Sequence, residues 1–280
     1  MFTIPELAAE GLGSYIAQHM GRRFGSTDAA LIELVQSAAR LSLDCIGNSD
    51  ALYHNIEHTM LVTLVGYDIL KGRRLFVETT ASDFAHVIFA CLFHDIGYVR
   101  GILNGDSMED YVVDAKYSRT KLPRGSSDAA LTPWHVDRSK LFVLDRFAKN
   151  KLLDATRIAS AIECTRFPPP DGTASGDNEE GMLVHAADLI GQLGDPHYLR
   201  KVNALYYEFE EIGMNRQLGY SSPADLTDLY PKFYWNSVSP HIQNAIRYLN
   251  VTSEGRQWIS NLYSNVFRAE RELSLSGPQR

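Results

Sequence analysis

Phe84-Ala85-His86-Val87-Ile88-Phe89-Ala90-Cys91-Leu92-Phe93 is the densest apolar run of the chain, and it ends abruptly in His94-Asp95. Phe84, Val87, Ile88, Cys91 and Leu92 recur at the spacing of one helix face. Ser82-Asp83 offers an N-cap just before them. Ten residues are too few to cross a bilayer, which takes about 20. Outward from this run the period stays helical. Leu31, Leu34, Val35 and Ala38 form one stripe, and Leu61, Leu64, Val65 and Ile69 form another. Further helices are expected at about 137–149, 152–164, 180–193, 196–212, 240–249 and 253–272. No segment alternates like a strand between hairpin turns. The expectation is an all-α fold in a single domain, residues 1–280. Two polar stretches interrupt it, Tyr98–Trp134 and Phe167–Gly181, the second containing Pro168-Pro169-Pro170. Connections of this length are either plain linkers or functional loops.

The 280 residues carry 27 basic and 34 acidic side chains, a formal net charge of −7. That argues against general nucleic-acid binding, which relies on clustered Lys and Arg. A small anionic substrate stays compatible if a metal supplies positive charge locally. Cys45, Cys91 and Cys164 are widely spaced and form no Cys-x-x-Cys pair, so neither a disulfide framework nor a zinc knuckle is expected. No basic segment leads into a long apolar stretch at the start, so the chain reads as cytoplasmic, with no signal peptide and no membrane partner.

The chemistry gathers at three places. Tyr53-His54-Asn55-Ile56-Glu57-His58 precedes a helix; His94-Asp95 closes the apolar run; Asp188 sits between Ala186-Ala187 and Leu189-Ile190. Buried carboxylates are costly unless paired, hydrogen-bonded or bound to a cation. One divalent ion shared by His58, His94, Asp95 and Asp188 would satisfy all of them. Imidazole and carboxylate together admit Mn, Mg, Fe, Zn or Ni without distinguishing them, and one ion or two. Such an ion lowers the pKa of bound water and neutralises a phosphoryl oxygen. His54 lies four residues before His58, on the same face if that turn is helical. One of the two can then bind metal while the other serves as general acid. His86 and His241, alone on apolar faces, read as core histidines.

This pattern resembles the HD superfamily of metal-dependent phosphohydrolases: His, then His-Asp, then a distant Asp on a helical bundle. His58, His94-Asp95 and Asp188 carry it, over a core of about residues 50–195 with a C-terminal helical extension of about 196–280. Tyr53-His54-Asn55, with a second histidine four residues on, is similar to class I cyclic nucleotide phosphodiesterases. That resemblance implies His54 as proton donor to the leaving oxygen and His58 as metal ligand. It implies cleavage of a phosphoester, foremost a nucleotide phosphodiester, by a metal-bound hydroxide. Those enzymes continue His-Asp-x-x-His, whereas Tyr98 stands here, as in another HD branch with YHN and HDxxY motifs. The second metal therefore stays open. So do a nucleotide phosphomonoesterase, an HD-type di-iron oxygenase and a noncatalytic signalling module. The GYP branch, with its extra histidine pair, is not matched.

Candidate substrate contacts are Tyr53, Asn55, Tyr98, Arg100, His135, Arg138 and Gln192. Arg100 and Arg138 lie in or beside the loop after His94-Asp95 and offer the bidentate fork that phosphate favours. His135 is the spare histidine for a second metal or a proton relay. Asn55 either contacts substrate or caps the His58 helix. Gln192, one turn past Asp188, and Gln243 are candidates for clamping a purine. Phe233-Tyr234-Trp235 follows Pro231 outside a clear helix and offers rings for a pocket wall. The stretch 253–272 is either core packing or a homodimer seam.

Overall fold

The computed structural model describes residues 3–167 and 178–276. The chain enters on α1 (Ile4–Phe24), whose N-cap Thr3 and Glu6 form a reciprocal capping box, and α2 (Ala29–Ile46) packs back along it. α3 (Ile56–Arg73) begins at Asn55, whose side-chain oxygen accepts from the N–H groups of Glu57 and His58. α4 (Ala81–Phe93) is the apolar run. Its cap is Thr80, boxed by Asp83, rather than the Ser82-Asp83 pair expected. Asp83 takes the N3 position of that box, so the helix starts earlier.

Every residue of α4 from Phe84 to Phe93 is buried, because α2, α3, α6 (Ala155–Glu163) and α7 (Glu179–Leu193) surround it. His86 sits among them as a satisfied core histidine. Its Nδ1 bonds to the Ser82 carbonyl at 2.7 Å and its Nε2 accepts the Asp154 N–H at 2.9 Å, which ties α4 to the start of α6. α3 and α7 approach closely because Gly191 has no side chain. A Cβ there would lie 2.9 Å from the Val62 backbone.

The polar stretch after α4 carries a 3-10 turn (Ile96–Tyr98), an antiparallel pair β1 (Tyr111–Val112) and β2 (Arg119–Thr120), and a second 3-10 turn (Asp128–Trp134). It then enters α5 (His135–Phe147). Gly97 lets the first turn press on α5, since a Cβ there would fall 2.0 Å from the His135 carbonyl oxygen. The Pro168-Pro169-Pro170 connector lies outside the described residues.

After α7 come α8 (Tyr198–Glu211), α9 (Met214–Leu218), α10 (Pro223–Phe233), a π-helical turn (Tyr234–Val238), α11 (Ser239–Leu249) and α12 (Ser253–Ser276). α11 and α12 pack on α3 and α7. α12 buries Leu262, Val266 and Ala269, so this face is core packing. Phe233-Tyr234-Trp235 corrects an expectation, because all three lie in helical turns despite Pro231. The Tyr234 N–H closes α10 on the carbonyls of Pro231 and Tyr230, and the widened turn that follows is closed by the Ser239 N–H donating to the Tyr234 carbonyl. Tyr234 is buried and Trp235 donates its indole N–H to Glu270 on α12 at 2.9 Å. These rings join α12 rather than wall a site. Among the described residues, no helix is long and apolar enough to cross a membrane.

Candidate metal centre

Two helix ends and one helix middle meet at a point. His58 stands in the first turn of α3, His94 and Asp95 at the end of α4, and Asp188 midway along α7. His58 Nε2 lies 3.3 Å from Asp95 Oδ2 and 3.2 Å from Asp188 Oδ1. His94 Nε2 lies 3.1 Å and 3.6 Å from the same two oxygens. Donors held at about 2.0–2.2 Å around one tetrahedral ion are separated by about 3.3–3.6 Å, close to this spacing. His58 and His94 present Nε2 atoms that are buried without a hydrogen-bond partner, as is Asp95 Oδ2. Orphaned buried groups of this kind call for an explanation, and a shared cation supplies one. His94 Nδ1 bonds to the Cys91 carbonyl at 2.8 Å, which aims the other nitrogen at the cluster. Among the described residues the triads able to hold an ion are His58/His94/Asp188 and His54/His58/Asp95, and His185 belongs to neither.

The electrostatics point the same way. Burial by itself would raise Asp188 and Asp95, but the facing histidines outweigh it and hold both carboxyls below their ordinary range. Burial would lower His94, yet Asp95 and Asp188 push it well above the usual imidazole range. The cluster is built to hold positive charge, as proton or as metal.

His54 flanks this quartet, near enough to form a second triad with His58 and Asp95, and is held by Glu208. Its Nδ1 meets Glu208 Oε2 at 2.5 Å, while Glu208 Oε1 accepts the backbone N–H groups of Tyr53 at 2.6 Å and His54 at 3.2 Å. Burial disfavours the charged ring, but the Glu208 carboxylate prevails and raises His54 to about 9. Glu208 belongs to α8, 154 residues away, and sequence reading missed it. Its one signal was a lone acid in the aromatic run Leu205-Tyr206-Tyr207-Glu208-Phe209. A measurable consequence follows for Glu208→Gln. Without the carboxylate, His54 gives up its proton at lower pH, so any alkaline limb of turnover that reports His54 moves to the acid side. That sign holds with or without a cation nearby, and pH–rate profiles of the two proteins would reveal an unmoved limb if Glu208 were only structural.

Tyr98 lies between two imidazoles, stacked on His54 at 4.6 Å and on His135 at 4.5 Å. His135 Nδ1 bonds to the Thr132 carbonyl at 2.6 Å and its Nε2 lies 3.7 Å from Asp95 Oδ1. Asp95 thus faces His58 and His94 with one oxygen and His135 with the other. Tyr53 is buried, with its ring 5.5 Å from that of His58.

The remaining expected contacts are drawn elsewhere. Arg138 is fully buried and all five of its N–H donors are spent. They go to the carbonyls of Gly97, Val99 and Val112 and to both oxygens of Asp106. The expectation that it meets substrate is therefore corrected: it pins the loop after His94-Asp95. Arg100 pairs with Asp50 and Asp128, which corrects its assignment as a free phosphate donor. Asn55 uses its amide as the α3 cap and as a donor to the Leu52 carbonyl at 2.9 Å, the second of its two readings. Gln192 meets the Tyr198 side chain. Gln243 is exposed and turned back on Ser239 of its own helix, away from any purine clamp here.

Fold and site together define an all-α protein with a buried His/His/Asp cluster suited to a metal, consistent with a broad HD-like metal-binding superfamily. The model of the family described as Npun_R2479-like matches residues 3–272, and the chain belongs to that family. No curated protein and no solved structure matches it.

Proposed function

We propose that this protein is a metal-dependent phosphohydrolase that cleaves a phosphoester, foremost a nucleotide phosphodiester. One observation carries the reading. A quartet of donors, three of them buried and Asp188 half-buried, converges on one point, and beside it stands a histidine that Glu208, with help from Asp95 and Asp188, keeps charged. His58, His94, Asp95 and Asp188 would hold the ion. When bound, a divalent ion neutralises a phosphoryl oxygen and lowers the pKa of a coordinated water.

The other roles belong to the chain. Glu208 holds His54 by Nδ1, which leaves Nε2 as the nitrogen that gives a proton to the leaving oxygen. The Tyr98 ring fixes the plane of His54 from one side. His54, charged through Glu208, would meet the negative charge developing on that oxygen. Asp95 keeps its second oxygen toward His135, where a second ion or a proton relay has its donors.

The test is hydrolysis of a 3′,5′-cyclic nucleotide by Mn(II)-loaded protein, a diester whose alkoxide leaving group needs a proton. His54→Asn is expected to keep its metal and lose about 10²–10⁴ in turnover, the usual share of a general acid. Full activity in that variant would sink the assignment. Release of inorganic phosphate from nucleotides, without cleavage of diesters, would move the reading to a monoesterase on the same site.

A further inference from the structure

Next to the cluster, with His58 in its wall, the surface folds into a cavity of about 180 Å³. Its polar walls are Asn55 and Glu57 from the start of α3 and Asp195 and Lys201 from the loop and first turns of α8. Lys201 Nζ lies 2.7 Å from Glu57 Oε1 and also pairs with Asp195. Asp195 is buried and rigid. One of its oxygens accepts the His197 N–H at 2.7 Å, and its carbonyl accepts from Asn265 at 2.7 Å. Glu57 is the movable member, with its side chain 58 % exposed. An ammonium between a fixed and a movable carboxylate can open to admit a polar group.

The charge and the size limit what that group is. Two carboxylates face one ammonium, so the recess is net negative and repels a phosphate. A purine is poorly served as well. Sites enclosing larger ligands run from about 300 Å³ upward with flat apolar walls, and the single aromatic ring lining this one, Tyr53, is buried against His54 and His58. A hydroxyl differs from both, because it accepts from an ammonium and donates to a carboxylate at once.

We propose that this recess binds the uncharged, hydroxylated part of the substrate, a vicinal diol of the kind ribose presents, with Lys201 donating to a hydroxyl oxygen and Glu57 accepting a hydroxyl proton. The proposal rests on the phosphohydrolase reading, since His58 lines the cavity and sets the phosphoryl group beside it. It makes the sugar, not the base, the part of a nucleotide that is recognised.

Calorimetric titration tests it without turnover. Mn(II)-loaded protein is titrated with ribose 5-phosphate and with 2-deoxyribose 5-phosphate. The first is expected to bind at least tenfold more tightly. Lys201→Met should abolish that preference and Lys201→Arg should restore most of it. Glu57→Gln, a change at an exposed position, should weaken it and serves if Lys201→Met fails to fold. Equal affinities, no binding of either sugar phosphate, or a preference that survives both Lys201→Met and Glu57→Gln would overturn the proposal. Hydrolysis of bis(p-nitrophenyl) phosphate without a diol preference sinks this proposal and spares the phosphohydrolase reading. A diol preference without hydrolysis does the reverse.

Discussion

His94→Ala and Asp188→Ala are each expected to abolish divalent-ion binding and, on the proposed phosphohydrolase reading, to cost roughly a thousandfold or more in phosphoester turnover, about 4 kcal/mol of transition-state stabilisation. The two residues come from different helices and different chemistries, yet both put a donor on the same point. Loss of either leaves three of the four converging donors. Asp188→Ala is the cleaner change. It sits mid-helix, where alanine is the best helix former, so α7 should survive. Elemental analysis of protein purified without chelator reads the metal, and the chromogenic diester reads the turnover. Full metal content in both variants would place the ion elsewhere. The wild-type protein adds an independent check. A ligand that binds only the folded state stabilises it by mass action, so chelator should lower the thermal midpoint of wild type and leave that of Asp188→Ala unmoved.

Arg138→Met is expected to cost about 3–5 kcal/mol, because it leaves a buried carboxylate without its counter-charge. In a protein of this size that corresponds to a fall of roughly 10 °C in the thermal midpoint. The guanidinium joins three pieces, two of which are also tied by the Val112 N–H donating to Asp106 Oδ1 at 2.9 Å. These are the turn after His94-Asp95, through Gly97 and Val99, the Asp106 loop, and β1 through Val112. Methionine fills a similar volume but answers none of those five bonds. Lysine would answer one or two, lacking the planar fork, so Arg138→Lys should fall between. Since Gly97 and Val99 flank Tyr98, the same variants should loosen the stack that holds His54 and His135. A midpoint within 2 °C of wild type for Arg138→Met would show that the loop is held by other means.

Much of the scaffold was legible because it is local. The stripes at Leu31–Ala38 and Leu61–Ile69, and the run at Phe84–Phe93, encode α2, α3 and α4 by period alone. α10 was not, because Pro231 reads as a breaker, and only the widened turn behind it shows how the helix continues. α1 was missed as well; Gly11, Gly13 and Gly21 dilute its stripe.

The site divides along the same line. Residue type and apolar context marked His58, His94, Asp95 and Asp188, since ionisable groups set in hydrophobic helices need a reason that sequence already displays. Three further facts needed the folded chain. Glu208 reaches His54 across 154 residues, so no spacing rule points to it. Arg138 looked like a free loop cation until its five donors were seen to be spent. Lys201 meets Glu57 only where α8 crosses the start of α3. Sequence by itself determined which side chains carry unusual chemistry, because burial is written into their neighbours. Tertiary structure decided which charges remain available, because a charge is free or spent only according to what the fold sets against it.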